Sequence, residues 1–357
     1  MDPTYHILLT GATGFIGQHL AAGLLREGVA LTCVAREPAK LSDLGSWQPP
    51  PEVIQGDLTH RAILAKLPDD IDVCIHMAAS LGSWGARETT ILRNNVVATQ
   101  HLLDWFSKSS GRQFLFVSTP GVQGFGRKAA VETDPCAPRG IYEISKVLAE
   151  KRVRRKRLGA GQHWTIVRPD FVYGPGDIRR IKLYRQIGRR QWIRIGSGHA
   201  LMRPTHVRDV CAAILACVGN PRAYSQTFNI AGPAPVSANQ FVDTIARLSG
   251  VRLPPVWLPA TCFELAATAL EWLARSTKRP PLFSKSQVQF FTQDHATDIS
   301  RIQECIGFRP QISFDDGMRE TLQWARDHKL LLPRKAKTFT RKAKKVFSTA
   351  GDSRKGR

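Results

Sequence analysis

The sequence predicts an α/β fold, a doubly wound parallel sheet with a smaller, mostly helical C-terminal domain. Three observations lead there. Strand-like and helix-like patterns alternate through the first half of the 357 residues. A glycine-spaced turn separates the first strand from the first helix. Gln113–Ser118 is an apolar run without alternation, as expected of a strand covered on both faces.

The elements follow in order. His6–Thr10 reads as a strand, Phe15–Arg26 as a helix and Leu31–Ala35 as the second strand. Val53–Gln55 and Val73–His76 read as the next two strands, Ile91–Ser107 as a helix and Gln113–Ser118 as the following strand. Tyr142–Arg157 is expected to be helical, with Thr165–Arg168 a strand behind it. Past Pro169, turn signals at Gly174-Pro175-Gly176-Asp177 and Gly196-Ser197-Gly198 loosen the pattern. Val207–Val218 then reads as a helix, Thr227–Ile230 as a strand, and Ser237 as the cap of a helix over Ala238–Leu248.

Composition narrows the class. With 51 Lys+Arg against 29 Asp+Glu, the chain carries a formal charge of +22, a field that favours anionic partners. The seven cysteines are odd in number and show no CxxC spacing, so neither a disulfide framework nor a zinc site is expected. Their apolar surroundings suit a reducing compartment. No apolar run reaches the ~18 residues of a membrane span; Glu264 and Glu271 interrupt the best candidate, Leu258–Leu273. Tyr5–Thr10 already reads as a strand, so no removable leader is expected, and the expected location is cytoplasmic.

Thr10-Gly11-Ala12-Thr13-Gly14-Phe15-Ile16-Gly17 has GxxGxxG spacing. Glycines there let the backbone turn tightly against a pyrophosphate, and the helix N-terminus adds free N–H groups and a positive dipole end. This predicts a Rossmann dinucleotide-binding domain over residues 1–170, completed by about 205–235. A substrate domain is expected over 171–204 and 236–330, and a basic flexible tail over 333–357. At the end of the second strand, an acidic residue would suit the ribose hydroxyl of NAD. Here Ala35-Arg36 stands instead, with Lys40 nearby, and Arg36 suits the 2′-phosphate of NADP. NADP is slightly preferred, with NAD the alternative.

Tyr142-Glu143-Ile144-Ser145-Lys146 places a phenol and an ammonium at i and i+4, on one helix face. A neighbouring positive charge is expected to lower the Tyr142 pKa from about 10 towards neutrality, for proton exchange with an alcohol or carbonyl. Ligands of open parallel sheets bind at strand carboxyl ends. Ser118 and Thr119 both offer a hydroxyl there.

Taken together, TGATGFIG at 10–17, Gly56-Asp57-Leu58, His76-Met77-Ala78-Ala79, Asn95–Thr99, VST at 117–119, YxxxK at 142–146 and RPDFVYGPGD at 168–177 resemble the extended short-chain dehydrogenase/reductases. That group includes sugar-nucleotide epimerases and dehydratases and the 3β-hydroxysteroid dehydrogenase-like enzymes. The resemblance runs from about residue 6 to 328. It implies that Gly11, Gly14, Phe15, Ile16 and Gly17 line the cofactor phosphates. Asp57 and Leu58 would flank the adenine, Ala78 and Ala79 lie along the cofactor, and Asn95 support the site. Pro169–Val172 would border the nicotinamide, with Tyr142 and Lys146 in contact with the cofactor. The family pattern selects Thr119, three residues before Val122, as the catalytic hydroxyl. His206-Val207-Arg208-Asp209-Val210 resembles the segment where the chain returns to the dinucleotide domain. In sugar-nucleotide relatives, an Arg four residues before that histidine grips the substrate diphosphate. This chain has Met202 there and Arg203 one place later.

Leu258–Arg275 bears on the substrate. As a helix it confines Glu264, Thr268, Glu271 and Arg275 to one narrow stripe, and Phe263, Leu265, Ala266, Ala267, Leu270, Trp272 and Leu273 cover the rest. It reads either as a core helix or as an apolar wall or membrane-docking element. With Lys278–Leu282 it resembles the 3β-hydroxysteroid dehydrogenase-like branch, which implies a lipophilic, sterol- or terpenoid-like alcohol or ketone. Basic runs at Lys151–Arg157, Arg179–Arg194 and Arg334–Lys345 suit an anionic membrane surface. Aromatics are 8% and no base-reading module is present, so specific nucleic-acid recognition is not expected. Relatives are often homodimers through the helix bearing Tyr142, although KRVRRKR on that helix would repel its own copy. Three functions follow: an oxidoreductase on a lipophilic alcohol or ketone; a sugar-nucleotide epimerase, dehydratase or reductase; and a non-catalytic cofactor-sensing protein.

Overall fold

A computed structural model describes residues 2, 4–41, 48–82, 84–277 and 279–331. The basic tail expected over 333–357 lies outside the described residues.

Seven parallel strands form the main sheet: β1 His6–Thr10, β2 Ala30–Ala35, β3 Glu52–Gln55, β4 Val73–His76, β5 Gln113–Val117, β6 His163–Pro169 and β7 Gln226–Ile230. Their spatial order is β7-β6-β5-β4-β1-β2-β3. The chain winds outward from β1 to β3, returns, and winds the other way from β4 to β7. The reversal lies between β1 and β4, where Ile7 pairs with Val73 and Thr10 with His76. A crevice opens there beyond the strand carboxyl ends, the usual ligand position of such sheets.

Alternate residues of one strand feed two separate cores. Ile7 and Leu9 pack on one face, with Leu20 and Leu24 of helix α1 (Phe15–Arg26). Leu8 packs on the other, with Leu102 and Phe106 of α2 (Ala98–Phe106) and Val153 of α3 (Ile141–Arg155). This double burial is why the strands read as continuous apolar runs. The helix expected over Ile91–Ser107 is not uniform: one π turn, Arg93–Val97, separates Glu88–Leu92 from α2. Such single turns shift side-chain phase and are frequent at functional sites.

A third core joins α4 (Ile181–Gly188) to later helices through Tyr184, Met202, Phe241, Ile245, Met318 and Leu322. The helices after α4 are, in chain order, α5 (Val207–Cys217), α6 (Ala238–Leu248), α7 (Ala260–Thr277), α8 (Lys285–Thr292), α9 (Ser300–Ile306) and α10 (Phe314–Asp327), of which α6, α8 and α10 enter this core while α5 and α9 pack on the first. Ser237 caps α6 as expected, in a capping box completed by Gln240. Asp209 at the start of α5 ties the later segment to the sheet by accepting from the backbone N–H of Gln311 and of Ile312, each at 3.0 Å.

Helix α7 spans the expected stretch but faces outward. It buries Ala267 and Ala274, while Leu265 and Trp272 are 73% and 71% exposed. A core-helix reading of this segment is therefore corrected: small side chains allow close packing on one edge, and the large apolar ones meet solvent.

Candidate active site

The glycine loop has the geometry its spacing requires. Gly11 has φ +83°, a region costly for other residues, and an added Cβ would stand 2.7 Å from the Ala78 backbone nitrogen. A Cβ on Gly17 would overlap the Gly11 carbonyl oxygen. Gly14 caps α1 with extended backbone, and no acidic side chain occupies the first turn, so the positive helix end has no local counter-charge.

The crevice above this turn is lined by Gly11, Thr13, Gly14, Arg36, Asp57 and Leu58, with Ala78, Ala79, Ser80 and Asn94 on the opposite side. These residues fit a dinucleotide: bare backbone at a helix N-terminus in the middle, and Arg36 and Asp57 at the end of β2 and β3. Burial alone would raise the Asp57 carboxyl; hydrogen bonds from Thr59 and the charge of Arg36 hold it below its ordinary range. Phe15, Ile16 and Gly17 do not line this space. Phe15 packs edge-on against His19, Ile16 packs on the first core, and Gly17 sits beneath the turn. Their contribution is to hold the loop's shape.

A hydrogen-bond relay fixes the crevice wall. The Ala78 N–H donates to Thr10 Oγ1 at 3.2 Å, and Thr10 Oγ1 contacts His76 Nδ1 at 2.7 Å. His76 Nε2 contacts Thr99 Oγ1 at 2.9 Å, and that hydroxyl donates to the Asn95 carbonyl at 2.6 Å. Thr99 therefore accepts from His76, which makes the imidazole neutral with its proton on Nε2. Burial, reinforced by the charge of Lys146, pulls the His76 pKa down to about 3, in keeping with that form.

Asn95, in the π turn, links the crevice to α3. It accepts from the Ser80 N–H at 2.6 Å and donates to the Ser80 carbonyl at 2.9 Å and to Ser145 Oγ at 2.8 Å. Ser145 in turn donates to the Tyr142 carbonyl at 2.6 Å. Lys146, one residue on, donates from Nζ to the Val117 carbonyl at 2.7 Å and lies over the Phe116 ring. Burial lowers its pKa to about 7, against the opposing pull of Glu150.

Thr119 stands two residues past Val117, in extended backbone, and its Oγ1 accepts from the Gly121 N–H at 3.2 Å. Ser118 is buried beside Glu150, so its hydroxyl is turned into the protein. Thr119 is only partly buried. Pro169 is buried at the end of β6, and Val172, partly buried, begins the two-residue strand that pairs with Thr205-His206.

One electrostatic expectation is corrected. Burial raises the Tyr142 pKa, Glu143 adds to the rise, and the lowering charge is that of Arg179. The Lys146 ammonium is directed at the Val117 carbonyl instead. Arg179 was missed as a site residue because it comes from a single helical turn, Ile178–Arg180, distant in sequence. Also missed was the buried pair beneath the site: Arg168 donates from Nε and Nη2 to Glu150 at 2.9 and 2.8 Å, with both side chains almost inaccessible. Glu150 lies one helical turn after Lys146, a spacing that could have signalled it. Thr13, Thr59, Ser80 and Asn94 were missed as crevice residues; each neighbours a residue that the sequence did mark.

Comparison with known proteins decides the family. The NAD dependent epimerase/dehydratase family model matches residues 7–231, more than half of the chain. The chain belongs to that family. As an extended short-chain dehydrogenase/reductase it is part of an enzymatic group of oxidoreductases and epimerases that use a nicotinamide dinucleotide. It is 24% identical to 2-alkyl-3-oxoalkanoate reductase of Shewanella oneidensis, over 88% of this chain and 84% of the relative. It is 25% identical to 3 beta-hydroxysteroid dehydrogenase/Delta 5-->4-isomerase of Mycobacterium tuberculosis, over 89% and 90%. Among solved structures, MoeE5 in complex with UDP-glucuronic acid and NAD is 26% identical with a TM-score of 0.70, covering 90% of this chain and 99% of that one. Both readings of the substrate thus have relatives within the family.

Proposed function

We propose that the protein is an NAD(P)-dependent oxidoreductase that interconverts an alcohol and a ketone on a lipophilic substrate. A bound nicotinamide supplies or accepts the hydride. Thr119 Oγ1 holds the substrate oxygen, and Tyr142 Oη gives a proton to the ketone or takes one from the alcohol. Lys146 holds the β5 end through Val117, and the buried Glu150–Arg168 pair fixes that part of the helix.

The observation that carries the lipophilic reading concerns the would-be diphosphate arginine. Met202 is fully buried in the third core. Arg203 is committed to backbone carbonyls: Gly232 at 2.7 Å, Thr297 at 2.9 Å and Pro233 at 3.0 Å. Aromatic side chains accompany this arrangement, with Phe171 packed against Phe241 and Phe290. The reductase and steroid dehydrogenase named among the relatives act on substrates of apolar character. Arg36 at the adenosine end of the crevice supports NADP over NAD.

A sugar-nucleotide reaction is the second reading, favoured by the likeness to MoeE5. A screen of sterols, long-chain 3-oxo acids and sugar nucleotides with NADH and NADPH, followed by nicotinamide absorbance, tests both. Turnover or thermal protection by sugar nucleotides alone would overturn the lipophilic reading. Tyr142→Phe is expected to abolish turnover while cofactor binding persists; a fully active variant would exclude Tyr142 as the acid/base.

We also propose an anionic membrane surface as the place where such a substrate is met. No helix of the described residues is long and apolar enough to cross a membrane. The outer face of α7 and exposed Leu282, whose carbonyl accepts from Lys182 at 3.4 Å, combine apolar side chains with nearby positive charge.

A further inference from the structure

We propose that the cleft between α2 and the C-terminal half of α3 is a binding site for phosphate-type oxyanions, separate from the glycine crevice. Its volume is about 440 Å3, within the ~300–1,000 Å3 of small-ligand sites. Gln100 lies on the α2 side, and five cations line it: Lys151, Arg152, Arg155, Lys156 and Arg157.

Helix geometry sorts the basic run that produces them. Val153 turns into the core. Arg154 is taken by Glu150 at 3.1 Å and Thr227 at 2.9 Å. The other five face the cleft. Asp104 organises the α2 side: its Oδ1 accepts from Gln100 Nε2 at 2.8 Å and from Lys156 Nζ at 2.6 Å. Arg152 donates to the Leu148 carbonyl at 3.4 Å. Among the described residues, no carboxylate pairs with Lys151, Arg155 or Arg157.

The charge here exceeds what the fold uses. The C-terminal end of α3 offers roughly half a negative charge. Asp104 adds one, which it shares with Arg61 at 3.7 Å. With Lys156 met by Asp104, four positive charges, Lys151, Arg152, Arg155 and Arg157, remain largely uncompensated around one concavity. An anion with several oxygens relieves that repulsion, and the planar forks of the arginines match phosphate oxygens in pairs. The catalytic residues sit at the other end of α3, so an occupant here leaves Tyr142 and Lys146 untouched.

The ligand chemistry is shared by free polyphosphates and phosphomonoester lipid headgroups, and two arms separate these sources. Full-length protein at low salt, with NADH or NADPH in excess to fill the crevice, is titrated calorimetrically with tripolyphosphate. In parallel it is sedimented with phosphatidylcholine vesicles with and without phosphatidic acid. Wild type is expected to bind in at least one arm, and Lys151→Ala/Arg155→Ala to weaken that binding by about tenfold without lowering Tm or cofactor affinity. Loss in the first arm identifies a free anion; loss confined to the second identifies a lipid headgroup. Equal binding by variant and wild type in both arms would place the anion elsewhere on the chain and overturn the proposal, as would absence of binding in both.

Discussion

Arg168 and Glu150 set the strongest constraint at the residue scale. Two hydrogen bonds join charges that water hardly reaches, so loss of one partner strands the other. Arg168→Met is expected to cost about 3–5 kcal/mol at neutral pH, measured by denaturant unfolding. The pH response should also change sign. In the wild type, Arg168, with Arg154 behind it, holds the Glu150 carboxyl below its usual 4.5 despite the opposing cost of burial. Its stabilisation is therefore present above that value and lost as pH falls through the folded pKa. In the variant, the partly exposed Arg154 is the cation left beside Glu150; with both Arg168 hydrogen bonds gone, burial raises the carboxyl pKa, so mild acidification should recover stability. A variant whose stability falls in parallel with wild type between neutrality and pH 5 would contradict this account.

The glycine turn and the π turn govern the site at the element scale. Gly17 has no room for a methyl group because the Gly11 carbonyl lies against it. Gly17→Ala is expected to displace the turn and weaken cofactor binding at least tenfold, a larger effect than an alanine elsewhere in α1 would have. Fluorescence titration with the reduced cofactor would check it, and unchanged affinity would show that the turn absorbs the methyl. The π turn matters differently. It brings Asn95 within reach of both Ser80 and Ser145, so one side chain couples the crevice wall to α3. The glycine spacing announced the first of these devices. The second was hidden, because the π turn covers only Arg93–Val97, too few residues for its phase shift to show against the apolar period of the flanking helix.

Charge and apolar surface are segregated across the whole molecule. The two cores of the sheet absorb its apolar strands, the third core absorbs α4, α6 and α10, and α7 is left with Leu265 and Trp272 outward. If that face meets a membrane, Leu265→Ser/Trp272→Ser should reduce co-sedimentation with acidic liposomes severalfold while leaving Tm near that of wild type. Both side chains are too exposed for their removal to open a cavity. Unchanged sedimentation would assign the face to another role.

Parallel-sheet architecture, the glycine loop and the helix carrying Tyr142 and Lys146 could be read from the chain because each rests on local geometry. Strand burial shows as apolar continuity, a tight turn as glycine spacing, and a shared helix face as a four-residue interval. The sequence also placed Ser237 as a cap and marked Met202 and Arg203 as a departure from the sugar-nucleotide pattern. Only the folded chain decided how the charges are spent. Thr10 meets His76 across 66 residues, and Arg203 reaches Thr297 across 94. Contacts of that span arise from how the layers close, and no local periodicity encodes them. The same closure buries Lys146 and partly buries Tyr142, and so moves their pKa values. It directs Lys146 at a carbonyl, and it leaves five cations around an open cleft at the C-terminal end of α3.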